Sequence, residues 1–348
     1  MKLILSCREF AKIRKNISID SLRSQKYYRG TLLSILIQKQ IERVKRSYHR
    51  FLSKLDDIAK YWEKNKKIPE LPGLTPTVRV RILLKALGYG KRRIKRILVN
   101  PKECDDDKLA YEIFNAVLKD YVYSPIAAEL QQAKGKRGEL ILKNWLSSME
   151  IKYCPEDSIR KIDSKCTPDF LLEDELLIGR RKIRWIESKS MFGDAKTHNF
   201  MFNKQYEKYY KNFGNGLIIY WFGHLRGLKN STTGSFIHSY LRLNLLKMDA
   251  ILTEKHCNRT RQNDVIVNVS DSDVNCSTKL KGLINLDDLK NADNLISYSD
   301  KIISDLRVLF SLFSNGRLVI VYDNKREDLR NFLEKILKNF GFNVVVQS

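Results

Sequence analysis

The chain has 348 residues, 43% of them hydrophobic, and a formal net charge of +24. That length and apolar share support a real core and two or three domains. The charge excess points to a polyanionic partner, nucleic acid first, an acidic protein second and an anionic membrane surface third; no apolar run reaches membrane-spanning length. Six cysteines are scattered without a Cys-x-x-Cys pair or paired histidines. This pattern predicts reduced thiols in a cytosolic or nuclear compartment and argues against zinc. Met1 to Cys7 is apolar but too short for a signal peptide.

The first hundred residues are strongly basic. Apolar residues from Leu32 to Ile41 and from Val44 to Trp62 recur at helical spacing, which predicts helices between Ser24 and Lys67. Pro69 and Pro72-Gly73 break the pattern. Thr75, with Pro76 after it, predicts the start of a helix that Gly88-Tyr89-Gly90 ends. A short basic helix follows, with Lys91, Arg92, Arg93, Lys95 and Arg96 ahead of Pro101. Helix, glycine turn and basic helix is the outline of a helix-turn-helix, and the five cations are candidate phosphate contacts. An ordinary basic surface or an import signal would read the same way.

Asp105 to Leu130 reads as helix interrupted at Pro125, and Gln131 to Met149 as a helix lying on a sheet. The latter carries Glu139 near its start, where the helix dipole also favours an acid. Lys152-Tyr153-Cys154 reads as a first strand. Thr167-Pro168-Asp169-Phe170-Leu171-Leu172 and Ile183-Arg184-Trp185-Ile186-Glu187-Ser188-Lys189-Ser190 read as two strands joined by a hairpin loop over 173–182. Residues two apart on a strand share a face, so Glu187 and Lys189 point together towards Asp169. Two close carboxylates repel unless a cation lies between them, and oxygen ligands of this kind suit Mg²⁺ or Mn²⁺. The spacing alone describes a surface hairpin with a salt bridge equally well.

A helix is predicted from Thr197 to Asn212, with Gln205 and Tyr209 at i and i+4 and His198 at its start. Asp194 is a turn or cap residue. Leu217 to Phe222 is a continuous apolar run and reads as a buried central strand. Beyond it, 231–250 reads as helix and 258–277 as a polar loop or linker. Arg317 to Tyr322, Glu327 to Phe340 and Asn343 to Val346 form a strand-helix-strand unit, parallel in sense, with no chemistry motif.

Thr167-Pro168-Asp169, Trp185-Ile186-Glu187-Ser188-Lys189-Ser190 with Phe192-Gly193-Asp194, and Phe213-Gly214 through Gly216-Leu217-Ile218-Ile219-Tyr220-Trp221 resemble the TPD-motif family of codanin-interacting nucleases. That family sits within the PD-(D/E)xK superfamily and is similar to Holliday-junction resolvases. The likeness covers about Leu22 to Leu228. It implies an α/β fold, restriction-endonuclease-like, with a mixed sheet flanked by helices and preceded by an all-α helix-turn-helix-like region. It also implies Asp169 and Glu187 as metal ligands, Lys189 as the catalytic lysine, Glu139 as a further ligand, and Gln205 in a supporting role.

The expected domains are therefore a basic helical region over 1–130, a nuclease domain over 131–250, and a C-terminal extension over 251–348 that the resemblance does not cover. The expected function is Mg²⁺- or Mn²⁺-dependent hydrolysis of DNA phosphodiesters, selective for branched or junction structure because no base-reading set is evident. RNA stays open as substrate, since Tyr220-Trp221-Phe222 would stack on bases if they were not core. The resemblance adds a codanin-like protein partner, residence in nucleus and cytoplasm, and a homodimer as the state a two-fold junction asks for. A different class, a non-catalytic binding module assembling with that partner, is set apart by whether Glu187 is needed for function.

Overall fold

The computed structural model describes residues 2–22, 26–162, 166–178, 181–228 and 236–238, then 249–253, 265–268, 283–285, 303–304, 306–307, 310, 318–321 and 327–347. In chain order it opens with strand β1 (Ile4–Leu5) and helices α1 (Cys7–Asn16), α2 (Arg29–Ser47), α3 (Leu55–Asn65), α4 (Pro76–Ala86), α5 (Lys91–Val99), α6 (Asp107–Lys119) and α7 (Pro125–Ser148). Then come β2 (Tyr153–Pro155), α8 (Glu156–Ile162), β3 (Phe170–Ile178), β4 (Arg181–Lys189), α9 (Ala195–Met201), α10 (Glu207–Phe213), β5 (Gly216–Tyr220), β6 (His224–Leu225) and β7 (Phe236–His238). The last elements are β8 (Asp249–Thr253), β9 (Val265–Asn268), β10 (Leu283–Asn285), β11 (Leu318–Val321), α11 (Glu327–Asn339) and β12 (Asn343–Gln347). Among the described residues no helix is long and apolar enough to cross a membrane.

The chain folds into two compact units, each built from two separate segments: Met1–Leu36 with Lys134–Lys247, and Ile37–Ala133 with Met248–Ser348. The first unit holds a mixed five-stranded sheet in the order β2-β3-β4-β5-β7. The β2, β3 and β4 strands are antiparallel, while β4, β5 and β7 run parallel. Tyr28, Leu142, Leu146, Phe170, Ile186, Leu217 and Trp221 share one core cluster; Trp185, Tyr206, Tyr209, Ile218 and Tyr220 share another. The alternation follows from the strand period of two.

Several segments differ from the sequence reading. The strands β3 and β4 extend through most of the predicted loop, with an irregularity between Leu171 and Leu176 that takes up Glu173-Asp174-Glu175; the turn itself lies outside the described residues. Pro125 does not interrupt a helix but begins one. A proline at the first helical position gives up an amide that has no helical partner anyway. From there α7 runs unbroken through Gly135 and Gly138, so Glu139 stands mid-helix and not in a first turn. The 231–250 stretch contributes strand at Phe236–His238, and Val265-Ile266-Val267, a β-branched run inside the polar tract, is strand as well. The rest of both stretches lies outside the described residues, apart from the start of β8.

Residues 1–22 are tied into the first unit by hydrogen bonds to distant chain. The strand β1 pairs in parallel with β6, through Ile4↔His224 and Leu5↔Leu225. Gly223 lies beneath it at φ +85°, with a built Cβ only 2.0 Å from the Leu3 carbonyl oxygen, so glycine is required on both counts. The Thr31 hydroxyl donates to the Phe222 carbonyl at 2.7 Å, and the Phe192 amide donates to Ser34 Oγ at 2.7 Å.

In the second unit, α3 to α6 form a helical cluster with Val80, Ile82, Leu83, Leu84, Ile113, Phe114 and Val117 buried. The Thr75 hydroxyl makes no capping bond to α4. Instead the buried Asp120 carboxylate accepts from the Thr77 amide at 3.0 Å, and from the Val122 and Tyr123 amides at 2.9 Å each. At the other end of α4, Gly88 takes φ +83° and the chain turns directly into α5. On α5, Arg93 pairs with Asp105 at 2.7 Å and lies 4.8 Å from the Tyr89 ring centroid; Arg96 pairs with Glu103 at 3.4 Å. Lys91, Arg92 and Lys95 are exposed. The same unit contains an all-parallel sheet in the order β10-β9-β11-β8-β12. The strand-helix-strand unit at the chain end is part of it: β11 and β12 are parallel, with β8 between them.

Candidate active site

Strand pairing builds the site. Phe170 is registered with Ile186 and Leu171 with Trp185, which sets Asp169 beside Glu187 at the end of the β3–β4 ladder. The two carboxylates are locked by reciprocal backbone bonds. The Ser188 amide donates to Asp169 Oδ2 at 2.7 Å, and the Asp169 amide donates to Glu187 Oε2 at 3.3 Å. Lys189 Nζ forms an ion pair with Glu187 Oε1. Glu187 is 2% exposed. Asp169 Oδ1 is left with no hydrogen-bond donor among the described residues.

Burial, then repulsion by Asp169, pushes the Glu187 carboxyl up to about 7. Burial also raises Asp169, against the pull of Lys189 and of the Ser188 amide. For Lys189 burial acts downward, but the Glu187 and Asp169 carboxylates outweigh it and hold the ammonium form. Glu139, on the exposed side of α7, is raised by partial burial and then by Asp169 and Glu156. It therefore feels the Asp169 charge across space. Among the described residues no three His, Cys, Asp or Glu side chains form a ready-made metal cluster; the compact donor set is the Asp169–Glu187 pair.

The approach of α7 depends on Gly138. A Cβ there would fall 2.4 Å from Trp221 Nε1 and 2.9 Å from Ser188 Oγ, two atoms that already share a 2.8 Å hydrogen bond. Gly138→Ala is expected to cost about 1–3 kcal/mol, by overpacking α7 against β4. Urea unfolding of the two proteins measures it, and an unchanged midpoint would contradict the packing argument.

Two neighbours of the site were not singled out for it in the sequence. Glu156, in the first turn of α8, accepts from the Thr167 hydroxyl at 3.4 Å and pairs with Arg160. Its signal is Pro155-Glu156-Asp157, a proline followed by two acids, which marks a helix start. Tyr209 donates its hydroxyl to the Thr167 carbonyl at 2.9 Å and packs edge-on against Trp185 at 5.3 Å. Thr167 is thus held from both ends, one residue before Pro168 and two before Asp169.

Gln205 lies in a π-turn over Phe202–Tyr206 that joins α9 to α10, with the Glu207 amide bonded back to the Phe202 carbonyl. The extra residue shifts the helical phase between Gln205 and Tyr209. Gln205 is half-buried and makes no side-chain hydrogen bond among the described residues, whereas Tyr206 and Tyr209 are buried. His198 is buried too, its Nδ1 3.0 Å from the Tyr220 hydroxyl, and burial lowers its pKa to about 4. It serves the core. Asp194 caps α9, accepting from the Thr197 amide at 3.0 Å. Lys91, Arg92, Arg93, Lys95 and Arg96 all lie on α5, in the other unit.

Comparison with known proteins adds to this geometry. The family model described as "Protein of unknown function TPD sequence-motif" matches residues 105–240. The Bos taurus protein named "CDAN1-interacting nuclease 1" is 29% identical over 231 residues, covering 60% of this chain and 82% of the relative. The Danio rerio protein of that name is 30% identical over 218 residues, covering 57% of this chain and 73% of the relative. The chain belongs to the TPD-motif family. The Mus musculus member is 29% identical over 219 residues. The stretch matched by the TPD-motif model contains Glu139, Glu156, Asp169, Glu187, Lys189 and Gln205, and begins after the α5 cations. No solved structure matches the chain.

Proposed function

We propose that the protein is a metal-dependent nuclease that hydrolyses nucleic-acid phosphodiesters, DNA first, at the Asp169–Glu187–Lys189 site. The observation that carries this reading is the convergence of two buried carboxylates and a lysine, fixed by backbone hydrogen bonds across β3 and β4. The relatives' printed name, nuclease, supports the same reaction class. The antiparallel β2-β3-β4 strands with parallel β5 beside them also suit a PD-(D/E)xK core, and α4, its glycine turn and α5 suit a helix-turn-helix.

The donor chemistry fits a hard divalent cation. Asp169 Oδ1 has no donor among the described residues, and the neighbouring carboxylates are held close at a cost that a cation relieves. Asp169 and Glu187 would hold Mg²⁺ or Mn²⁺, with Glu139 as an outer ligand. Such an ion, when bound, supplies polarisation of a phosphoryl oxygen and a more acidic water. Lys189 places an ammonium beside that position, where negative charge grows as water attacks phosphorus. Its raised pKa suits charge stabilisation better than proton abstraction. Tyr209 and Glu156 act as positioning residues for Asp169 through Thr167. Gln205 stands on the π-turn, a feature often found at functional sites, as a candidate contact to substrate or water. The α5 cations Lys91, Arg92 and Lys95 would hold the substrate by its phosphates, with Arg93 and Arg96 more engaged in the protein's own ion pairs.

The test is cleavage of labelled duplex, flap, four-way-junction and single-stranded DNA, with matching RNA, in Mg²⁺, in Mn²⁺ and in EDTA. Cleavage is expected with either ion and is lost in EDTA and in Asp169→Asn. Binding without cutting on every substrate would overturn the nuclease reading. It would favour assembly with a codanin-like protein, the reading that "CDAN1-interacting" in the relatives' names supports.

A further inference from the structure

The helix that follows the site has an outer face that the proposed chemistry does not use. On its inner side it buries His198 and Tyr206, and His198 bonds Tyr220, the residue registered with Lys189 on the adjacent strand. On its outer side stand Lys196, Asn199, Phe200, Asn203 and Lys204, all exposed. The spacing i, i+3 and i+4 puts Lys196, Asn199 and Phe200 on one face of α9; Asn203 and Lys204 follow in the π-turn, where the contact with the Phe200 ring keeps Lys204 beside that face. Phe200 keeps 61% of its surface in water, the Lys204 ammonium lies 6.0 Å from its ring centroid, and residues 195–204 contain no Asp or Glu. A single exposed aromatic needs no explanation. A phenylalanine set among lysines and amides, on the helix packed against the strands of the site, forms a surface with a definite chemical complement. In a chain of net charge +24 that complement is a polyanion bearing flat rings.

We propose that this face holds an unpaired stretch of nucleic acid leading to the site, with one base stacked on Phe200 and the adjoining phosphate against Lys204. The inference rests on the nuclease reading and extends it to a substrate class: a strand with at least one unstacked base near the point of cleavage, as at a flap, branch or single-stranded end. Bases inside a continuous duplex are already stacked and offer the ring no face. One apolar side chain gives too little surface for an amphipathic protein helix, which asks for several at helical spacing.

Binding of the full chain is measured by fluorescence anisotropy in EDTA, so that the strand stays whole, on a single strand, a flap and a blunt duplex. The native chain, Phe200→Ala and Phe200→Trp are compared, and thermal melts check each fold. Phe200→Ala is expected to weaken binding about ten- to a hundredfold on the single strand and the flap, and less than twofold on the duplex; Phe200→Trp restores it. An oligonucleotide carrying 5-iodouracil is expected to crosslink on Phe200. Equal affinity of the native chain and Phe200→Ala on every substrate, or equal loss on all three, would overturn the proposal and leave the nuclease reading standing. A native chain that binds no nucleic acid would overturn both.

Discussion

Lys189→Ala is expected to slow cleavage of the best substrate about 10²–10³-fold, the usual loss when one charge-stabilising group leaves a buried site. The side chain contacts Glu187 Oε1, and Glu187 is held at the end of the ladder by the Asp169 amide. Removing the ammonium takes positive charge from the place where the phosphoryl group gains negative charge. It also leaves Glu187 buried beside Asp169 without its counter-ion, so the carboxylate that should hold the cation is harder to ionise. The variant should therefore need more Mg²⁺ for half-maximal rate, besides being slower at saturation. Lys189→Arg keeps the charge but not the point geometry, and should recover only part of the rate. Cleavage rates over a Mg²⁺ titration separate the two effects. A Lys189→Ala rate within threefold of the native chain would remove the lysine from the chemistry.

Lys134→Met should make the protein more stable, by about 5 kcal/mol at acidic pH, because the substitution removes an ammonium that burial holds well below its ordinary pKa, at roughly 1.4 kcal/mol for each tenfold change in its proton affinity. Lys134 is only 4% exposed, and burial alone lowers its pKa from 10.5 to about 7. Between these values the unfolded chain holds a proton that the folded chain has lost. Stability of the native protein therefore rises with pH across this window, and below pH 7 the full penalty of a buried ammonium is present. Methionine has similar length and no charge. Its advantage should be largest at pH 6 and nearly gone by pH 10. Urea midpoints of both proteins at the two pH values decide it, because all other titrating groups cancel in the difference. An advantage equal at both would show that Lys134 is not buried as an ammonium.

Much of the first unit could be read locally. The buried strand β5 is a continuous apolar run, and β3 and β4 are set by an apolar run and by alternation around Trp185. The juxtaposition of Asp169, Glu187 and Lys189 follows from strand period once those strands pair. What escaped depends on events with no local signal. The π-turn at Phe202–Tyr206 leaves the apolar spacing looking helical while shifting the face of Gln205. Glu156 sits on a helix of seven residues, too short to show a period. The α4 cap is a carboxylate 43 residues away in sequence. The parallel sheet of the second unit is assembled from three- to five-residue strands scattered through polar sequence, where only the last two stood out.

The pairing of Ile4 with His224 has a consequence for how the chain is made. A ribosome finishes the first strand long before its partner exists. At roughly 5–20 residues per second the wait is on the order of ten to forty seconds. During that interval the 37–133 segment can begin to order its helices, and α1 can form on its own capping box, whereas β1 waits with an unpaired strand edge. Closing so large a loop late is slow by its contact order, and β1 stays exposed to chaperones and proteases while it waits. The first unit is thus completed when a strand made early meets a partner made about two hundred residues later.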